Sequence, residues 1–137
     1  MIEAPESRQQ HRLRPLTPVE CYQLLAAHFV GRIGLVRGAH PEILPVNYRL
    51  DGHDVICRVG YPLLAALAGR PVAFEVDEID LVYHGGRSVL VHGFAEHVTL
   101  ADEVDRLSRL PLRPWAPGSR DDYVRIVAEQ ITGRRLG

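Results

Sequence analysis

The chain has 137 residues, an apolar share of 46% and a formal net charge of −1. These values fit one globular domain and give no field that favours nucleic acid or an anionic membrane as a partner. All 16 basic residues are arginines, which excludes a Schiff-base lysine and the lysine of a phosphate-binding P-loop. Cys21 and Cys57 lack metal-binding spacing, and we expect buried thiols in a reducing compartment.

Residues 1–15 are polar and arginine-rich, and we expect them to form a mobile N-terminal tail. Residues 16–137 show no internal repeat or linker and are expected to form one domain. The sequence has no apolar signal region and no apolar run of membrane-spanning length, so a cytoplasmic location is expected.

The first predicted element of the domain is a helix. Thr17-Pro18-Val19-Glu20 has the pattern of a capping box, with proline at the first helical position. The apolar spacing predicts a helix that runs to about His28 and is ended by Gly31.

A hairpin follows, with strands predicted at residues 42–50 and 53–59 after a strand at 32–36. If Asp51-Gly52 is a two-residue turn, the register places Tyr48 opposite Val55 and Arg49 opposite Asp54. One face is then apolar and forms core. The other carries Asn47 and Arg58 as diagonal neighbours at roughly 7–8 Å, which could hold one anionic ligand or simply face solvent.

In the second half of the chain, short predicted helices again alternate with predicted strands. A short helix is predicted at residues 62–68, a half-buried strand at 72–77, a glycine loop at Gly85-Gly86 and a long strand at 88–98. An amphipathic helix at 100–110 and a strand at 123–127 complete the domain. Both faces of the 88–98 strand are apolar, so we expect one of them to pack against a second subunit in a homodimer. The pattern predicts a mainly β fold, a small antiparallel barrel with helical decoration.

Few other side chains suggest a catalytic, metal-binding or ligand-binding role. Glu75 and Asp77 share a strand face and could form a carboxylate pair, although an arginine-paired or solvated face is favoured. The histidines form no metal motif, and no metal site is predicted. Trp115, in a proline-rich loop, is either a stacking lid over a ring or a loop anchor. No general acid or base is identified, so the catalytic residues are unassigned.

Five segments, in this order, resemble the pyridoxamine 5'-phosphate oxidase-like family, and Pro114-Trp115 resembles the loop of its actinobacterial branch. They are Gly31-Arg32-Ile33-Gly34, Pro45-Val46-Asn47-Tyr48, Val72-Ala73-Phe74-Glu75-Val76-Asp77, Ser88-Val89-Leu90-Val91-His92-Gly93 and Ile131-Thr132-Gly133-Arg134-Arg135. The resemblance covers about residues 16–136.

This resemblance implies a six-stranded antiparallel split β-barrel of the flavin-binding type, dimerised with two FMN sites at the interface. Some relatives bind a deazaflavin cofactor or haem instead. By position, the isoalloxazine ring would be bordered by Pro45, Val46, Asn47 and Tyr48. The phosphate side would be approached by Arg58, Val59 and Gly60. Ser88 and Trp115 are also expected to contact the cofactor.

Two positions depart from the family pattern. Leu63 stands in the segment where the family often has lysine, and Arg87 stands where it often has tryptophan. We therefore expect Arg58 and Arg87 to hold the FMN phosphate jointly. Arg49 is expected to matter less, because the register offers it Asp54.

The resemblance implies an oxidoreductase that transfers hydride through a flavin to an unidentified small molecule. The alternative is a non-catalytic module that binds a flavin, a deazaflavin or haem. Neither nucleic acid nor a membrane is expected as a partner.

Overall fold

The computed structural model describes residues 13–113 and 122–137. In these ranges the strands are β1 (Leu13–Pro15), β2 (Val30–Arg37), β3 (His40–Asp51), β4 (Asp54–Val59), β5 (Arg70–Asp80), β6 (Gly85–His97) and β7 (Asp122–Leu136). The helices are α1 (Pro18–Ala26), α2 (Tyr61–Leu67) and α3 (Ala101–Leu107).

The strands form one antiparallel sheet that closes on itself. Its order is β1-β7-β4-β3-β2-β5-β6, and β6 pairs again with β7. Strands β2 to β7 therefore make a six-stranded barrel, and the predicted mainly β barrel with helical decoration is confirmed. Closure removes the free sheet edges that promote aggregation.

Strand β1 corrects the expected boundary of the N-terminal tail. Leu13 pairs with Leu136 and Pro15 with Arg134, so residues 13–15 belong to the barrel domain. The expected tail at 1–12 lies outside the described residues.

The barrel interior is filled by alternate residues of every long strand. Tyr48 and Phe74 are fully buried and meet edge to face with ring centroids 4.9 Å apart. The Tyr48 hydroxyl donates to the Leu25 carbonyl at 2.5 Å, which joins the barrel to α1. The capping box is confirmed, because Thr17 Oγ1 accepts from the Glu20 amide and Glu20 Oε1 accepts from the Thr17 amide.

The role expected for Gly31 was wrong. Helix α1 ends at Ala26 with Ala27 as its cap, and Gly31 lies inside β2. A Cβ atom at Gly31 would lie 2.3 Å from Cζ of Phe74. The residue is therefore glycine because the Phe74 ring lies against its backbone inside the barrel.

The β3–β4 hairpin also differs from the expected register. Asp51 pairs with Asp54, and Gly52 and His53 form the turn, with Gly52 at a φ of 62°. Tyr48 consequently pairs with Cys57, two residues beyond the predicted Val55. A shift of two residues leaves every side chain on its predicted face, because the side-chain period of a strand is two. Only the identity of the residues that lie opposite each other on β3 and β4 changes.

Helix α3 covers the outer surface of β4. Ile56 points outward from the barrel and is fully buried against Leu107 and Leu112 in a second, smaller core. Arg125 of β7 reinforces this contact by donating to Asp51, Asp54 and Glu103 at 2.7–3.1 Å. We call this side of the barrel, centred on Ile56 and Arg125, the covered face.

No helix covers the outer surface of β2, β5 and β6 within the described residues. Val36, Ile43 and Phe94 lie there with 58%, 71% and 38% of their surface exposed. Gly34 pairs with Ala73, and Ala73 with His92, in one row across these strands. We call this side the open face.

Candidate functional site

The residues predicted to border a flavin ring alternate between the inside and the outside of the barrel. Val46 and Tyr48 are buried in the core, as is Val59, so their side chains cannot touch a ligand outside the barrel. Pro45 and Asn47 point outward. Gly60 caps the start of α2. Of the predicted ring contacts, only Pro45 and Asn47 therefore present side chains to the outer surface.

Asn47 and Arg58 both hold the segment that follows α3. Asn47 Nδ2 donates to the Arg113 carbonyl at 3.1 Å, and Arg58 Nη1 donates to the Leu112 carbonyl at 3.2 Å. The Arg58 guanidinium also lies over the Tyr123 ring, 5.4 Å from its centroid. Arg58 Nε is buried and has no hydrogen-bond partner among the described residues. The two side chains thus bind consecutive residues of the segment, and Arg58 keeps a buried donor for a further acceptor.

The pairing expected between Arg49 and Asp54 is absent. Arg49 pairs across the hairpin with Ile56, and its guanidinium lies 4.2 Å from the centroid of the Phe29 ring. Asp54 is bound instead by Arg125. The two-residue shift in register is the cause.

Arg87 is held inside one end of the barrel. Its Nη2 donates to Glu78 at 2.7 Å, and His28 Nε2 lies 2.8 Å from the other oxygen of the same carboxylate. These two partners lower the pKa of Glu78. Arg87 therefore already has an anionic partner in its own chain.

Arg58 and Arg87 cannot hold one phosphate within one chain. Arg58 pairs with Tyr123 and Arg87 with Arg135, twelve residues apart along β7. Twelve residues of strand span roughly 40 Å. The joint clamp predicted from the sequence therefore does not form within one protomer and stays a prediction for the dimer, and Leu63, which packs on the core, supplies no substitute charge.

Ser88 lies on the outer surface, beside a cavity of about 340 Å³ that sequence analysis did not anticipate. The cavity is lined by Glu75, Ser88, Leu90, Thr132, Gly133 and Arg134. The resemblance had marked 131–135 as a motif, but only the strand pairing shows that Arg134 lies opposite Ser88.

The carboxylates of Glu75 and Asp77 are paired with an arginine, as sequence analysis favoured. Arg32 Nη1 lies 3.3 Å from Glu75 and 3.2 Å from Asp77. Burial is the main cause that raises the pKa of Glu75, and its hydrogen bond with Asp77 adds to the effect. This cluster lies between Pro45 and the cavity, because Arg32 pairs with Pro45 on one side and Glu75 on the other.

A larger groove of about 560 Å³ occupies the open face next to this cluster. Its floor is low because Gly34 has no side chain and Ala73 has only a methyl group. Leu35, Val36 and Ile43 contribute to its lining, and His92 and Gln130 lie at the β6–β7 side. A β-bulge at the His92/Gly93 step shapes that wall.

The chain matches the family model for pyridoxamine 5'-phosphate oxidase over residues 17–135. The protein belongs to this family. The uncharacterised protein Rv0080 of Mycobacterium tuberculosis is 36% identical over 124 residues, which cover 85% of this chain and 81% of that protein.

Two solved structures confirm the split-barrel fold of this family member. The FAD binding protein from Mycobacterium smegmatis superposes with a TM-score of 0.76 at 31% identity, covering 89% of this chain and 96% of that one. The conserved protein of unknown function DIP1874 from Corynebacterium diphtheriae gives a TM-score of 0.80 at 29% identity, covering 92% and 99%.

The described ranges contain neither a membrane-spanning helix nor a cluster of metal ligands. No helix in those ranges is long and apolar enough to span a membrane. Residues 13–113 and 122–137 contain no group of three or more histidine, cysteine or acidic side chains that could hold a metal ion. Trp115, predicted to contact the cofactor, lies outside the described residues.

Proposed function

We propose that this protein binds a flavin, FMN in the first instance, as a homodimer, and transfers hydride through it to a small-molecule substrate. Membership of the family and the 31% identity to an FAD binding protein support the flavin. The observation that carries the proposal furthest is the open face, an apolar groove beside outward polar groups.

The shape of the open face fits a flat ring. Gly34 and Ala73 form a floor without projecting side chains: a Cβ atom at Gly34 would lie 3.5 Å from Cβ of Ala73. Pro41 and Ile43 line the β3 side. Pro45 and Asn47 are the next outward residues of β3 beyond the groove, and Asn47 carries an amide there. Ligand sites of this kind combine an apolar surface with a few polar groups that fix orientation.

The residues of this chain would bind and orient the cofactor. Pro45, Asn47, Gly34 and Ala73 would contact the ring, and the buried Nε of Arg58 would be offered to a phosphate oxygen. The flavin itself supplies the capacity to accept and return a hydride. The apolar wall of the groove would exclude water from the reacting face.

Exposed apolar side chains on the open face also support the homodimer. Val36, Ile43 and Phe94 are exposed on adjacent strands, and a symmetric contact would bury them together. Sedimentation velocity at micromolar concentration should show a dimer. An Ile43→Asp variant should sediment as a monomer, whereas Val19→Asp, at an exposed valine on α1, should not. A wild-type monomer would contradict the dimer.

The flavin is tested by purifying the protein and recording its visible spectrum, followed by titration with FMN, FAD and riboflavin. We expect a flavin spectrum and reduction of the bound flavin by a nicotinamide cofactor. Absence of binding for all three flavins would overturn the proposal.

A second candidate is a non-catalytic module that binds a flavin, a deazaflavin or haem. It is favoured by the arginines, because both Arg58 and Arg87 are already bonded to groups of their own chain. Bound flavin that no nicotinamide cofactor reduces, or tighter binding of a deazaflavin than of FMN, would select this candidate. For either function we expect a cytoplasmic location, in keeping with the free thiols of Cys21 and Cys57.

A further inference from the structure

The cavity between β5, β6 and β7 brings charged and hydroxyl-bearing side chains together. Two rows of the sheet build it. Glu75, Leu90 and Thr132 form one row, and Asp77, Ser88 and Arg134 form the next. All six side chains point outward, since neighbours across a sheet share a face.

Arg134 is the cationic group of this cavity. It pairs with Ser88 across the strands, which places the two Cβ atoms roughly 4.5–5.5 Å apart. The salt bridges of the described residues include Arg135 with Glu20 but none of Arg134. Among the described residues no carboxylate forms a salt bridge with its guanidinium, and a planar guanidinium suits the oxygens of a phosphate or a carboxylate.

The hydroxyl groups of Ser88 and Thr132 line the same cavity as Arg134. Gly133 explains why Thr132 and Arg134 both project outward here. A Cβ atom at Gly133 would lie 2.7 Å from Cys21 Sγ, so glycine lets β7 lie against α1 and fixes its neighbours on the outer surface.

We propose that Arg134, Ser88 and Thr132 form an oxyanion site that takes the phosphate or carboxylate of a small organic ligand. It deepens the proposed function, on which it rests, because it lies on the same outer surface, next to the Arg32–Glu75–Asp77 cluster. The oxyanion belongs either to the phosphate of the cofactor or to a separate small molecule. Guanidinium and hydroxyl donors bind both in the same way.

Glu75 limits the strength of this site. Its carboxyl lines the cavity opposite Arg134, and a negative charge there repels a bound anion. Arg32 offsets that charge in part, because it bridges Glu75 and Asp77. Replacing Glu75 with glutamine should therefore tighten anion binding without changing the shape of the cavity.

The test uses the full chain, with inorganic phosphate as the probe in calorimetric titrations. We expect R134Q to weaken phosphate binding at least tenfold and E75Q to tighten it several-fold. R70Q is the matched control, since Arg70 is exposed and pairs with Ala95, away from the cavity, and it should bind phosphate like the wild type. Equal phosphate affinities for wild type, R134Q and R70Q would overturn the oxyanion site.

Flavin titrations of the same variants identify the source of the oxyanion. If R134Q weakens FMN at least tenfold and riboflavin less than twofold, the site holds the phosphate of the cofactor. If it weakens inorganic phosphate alone, the site holds a separate small anion. A wild-type chain that binds no flavin would contradict the proposed function, while the phosphate titrations would still decide the oxyanion site.

Discussion

The two outer faces of the barrel differ in what covers them: α3 packs on one, and no described helix packs on the other. On the covered face, α3 buries Ile56 completely and Arg125 ties three carboxylates together. On the open face, the corresponding row offers Gly34, Ala73 and the exposed Ile43. An apolar surface that a chain leaves uncovered usually serves a ligand or a partner. We therefore propose that the covered face stabilises the fold and that the open face binds the flavin ring, while Arg58, bonded to Leu112 beside the covered face, is offered only to the phosphate.

The largest expected effect is on stability, when the covered face loses its buried side chain. Ile56→Ala should lower the free energy of unfolding by about 2–5 kcal/mol, because it leaves a cavity between β4 and α3. Ile43→Ala, at an exposed position of the open face, should cost less than about 0.5 kcal/mol in the monomer. Urea unfolding at a protein concentration low enough to dissociate the dimer measures both. Equal losses would remove the distinction between the faces.

Removing the central arginine of the covered face should also destabilise the fold. Arg125→Gln removes the only cation that reaches Asp54 among the salt bridges of the described residues, and leaves Asp51 and Glu103 with Arg106 alone. We expect a loss of about 2 kcal/mol, less than for a fully buried pair because water reaches the carboxylates. Arg109→Gln breaks only an exposed pair with Asp105 and should change the urea midpoint very little. A similar midpoint for both variants would contradict the role given to Arg125.

The ratio of FMN to riboflavin affinity tests the arginines beside Asn47. Arg58→Ala should reduce this ratio about tenfold, since it removes the donor offered to a phosphate. Arg49→Ala should leave it unchanged, because Arg49 lies over Phe29. Fluorescence titration with both flavins measures the ratio, and using a ratio cancels any general loss of folded protein. A tenfold reduction for Arg49→Ala alone would reverse the assignment.

The smallest expected effect is a difference in pH dependence between the faces. Hydrogen bonds from Arg106 are the main cause that lowers the pKa of Asp51 on the covered face. Its stabilising contribution is therefore present above its ordinary pKa and lost as the pH falls below it. Burial raises the pKa of Glu75 on the open face. Its contribution is present at low pH and lost as the pH rises through the raised value.

Unfolding curves between pH 2 and pH 7 measure this difference. Asp51→Asn should make the loss of stability in acid shallower, whereas Glu75→Gln should make it steeper. If both variants made the loss of stability in acid shallower, or both made it steeper, the pKa values of Asp51 and Glu75 would not be shifted in opposite directions.

Much of the fold could be predicted because a strand alternates its side chains with a period of two. That pattern assigned Tyr48 to the core and Arg58 to the surface. It could not fix the hairpin register, because a shift of two residues preserves every face. The two arginines that bind Asp51 at the end of the hairpin, Arg106 and Arg125, lie more than fifty residues further along the chain.

The site was harder to predict than the fold. Arg58 was recognised as an outward arginine, but its bond to the Leu112 carbonyl depends on where α3 ends. The salt bridge of Arg87 was not foreseen because its partner Glu78 lies on the adjacent strand and faces inward with it. Arg134 was not singled out from the sequence because its neighbours, Ser88 and Glu75, are distant in sequence and meet only through pairing across three strands.

The most direct test of the account is a flavin titration of two alanine-to-leucine variants. Ala73→Leu raises the floor of the groove on the open face, and Ala101→Leu makes the same change at an exposed position of α3. We predict that Ala73→Leu weakens FMN binding at least tenfold, while Ala101→Leu binds FMN like the wild type. Equal affinities for the three proteins would contradict the assignment of flavin binding to the open face.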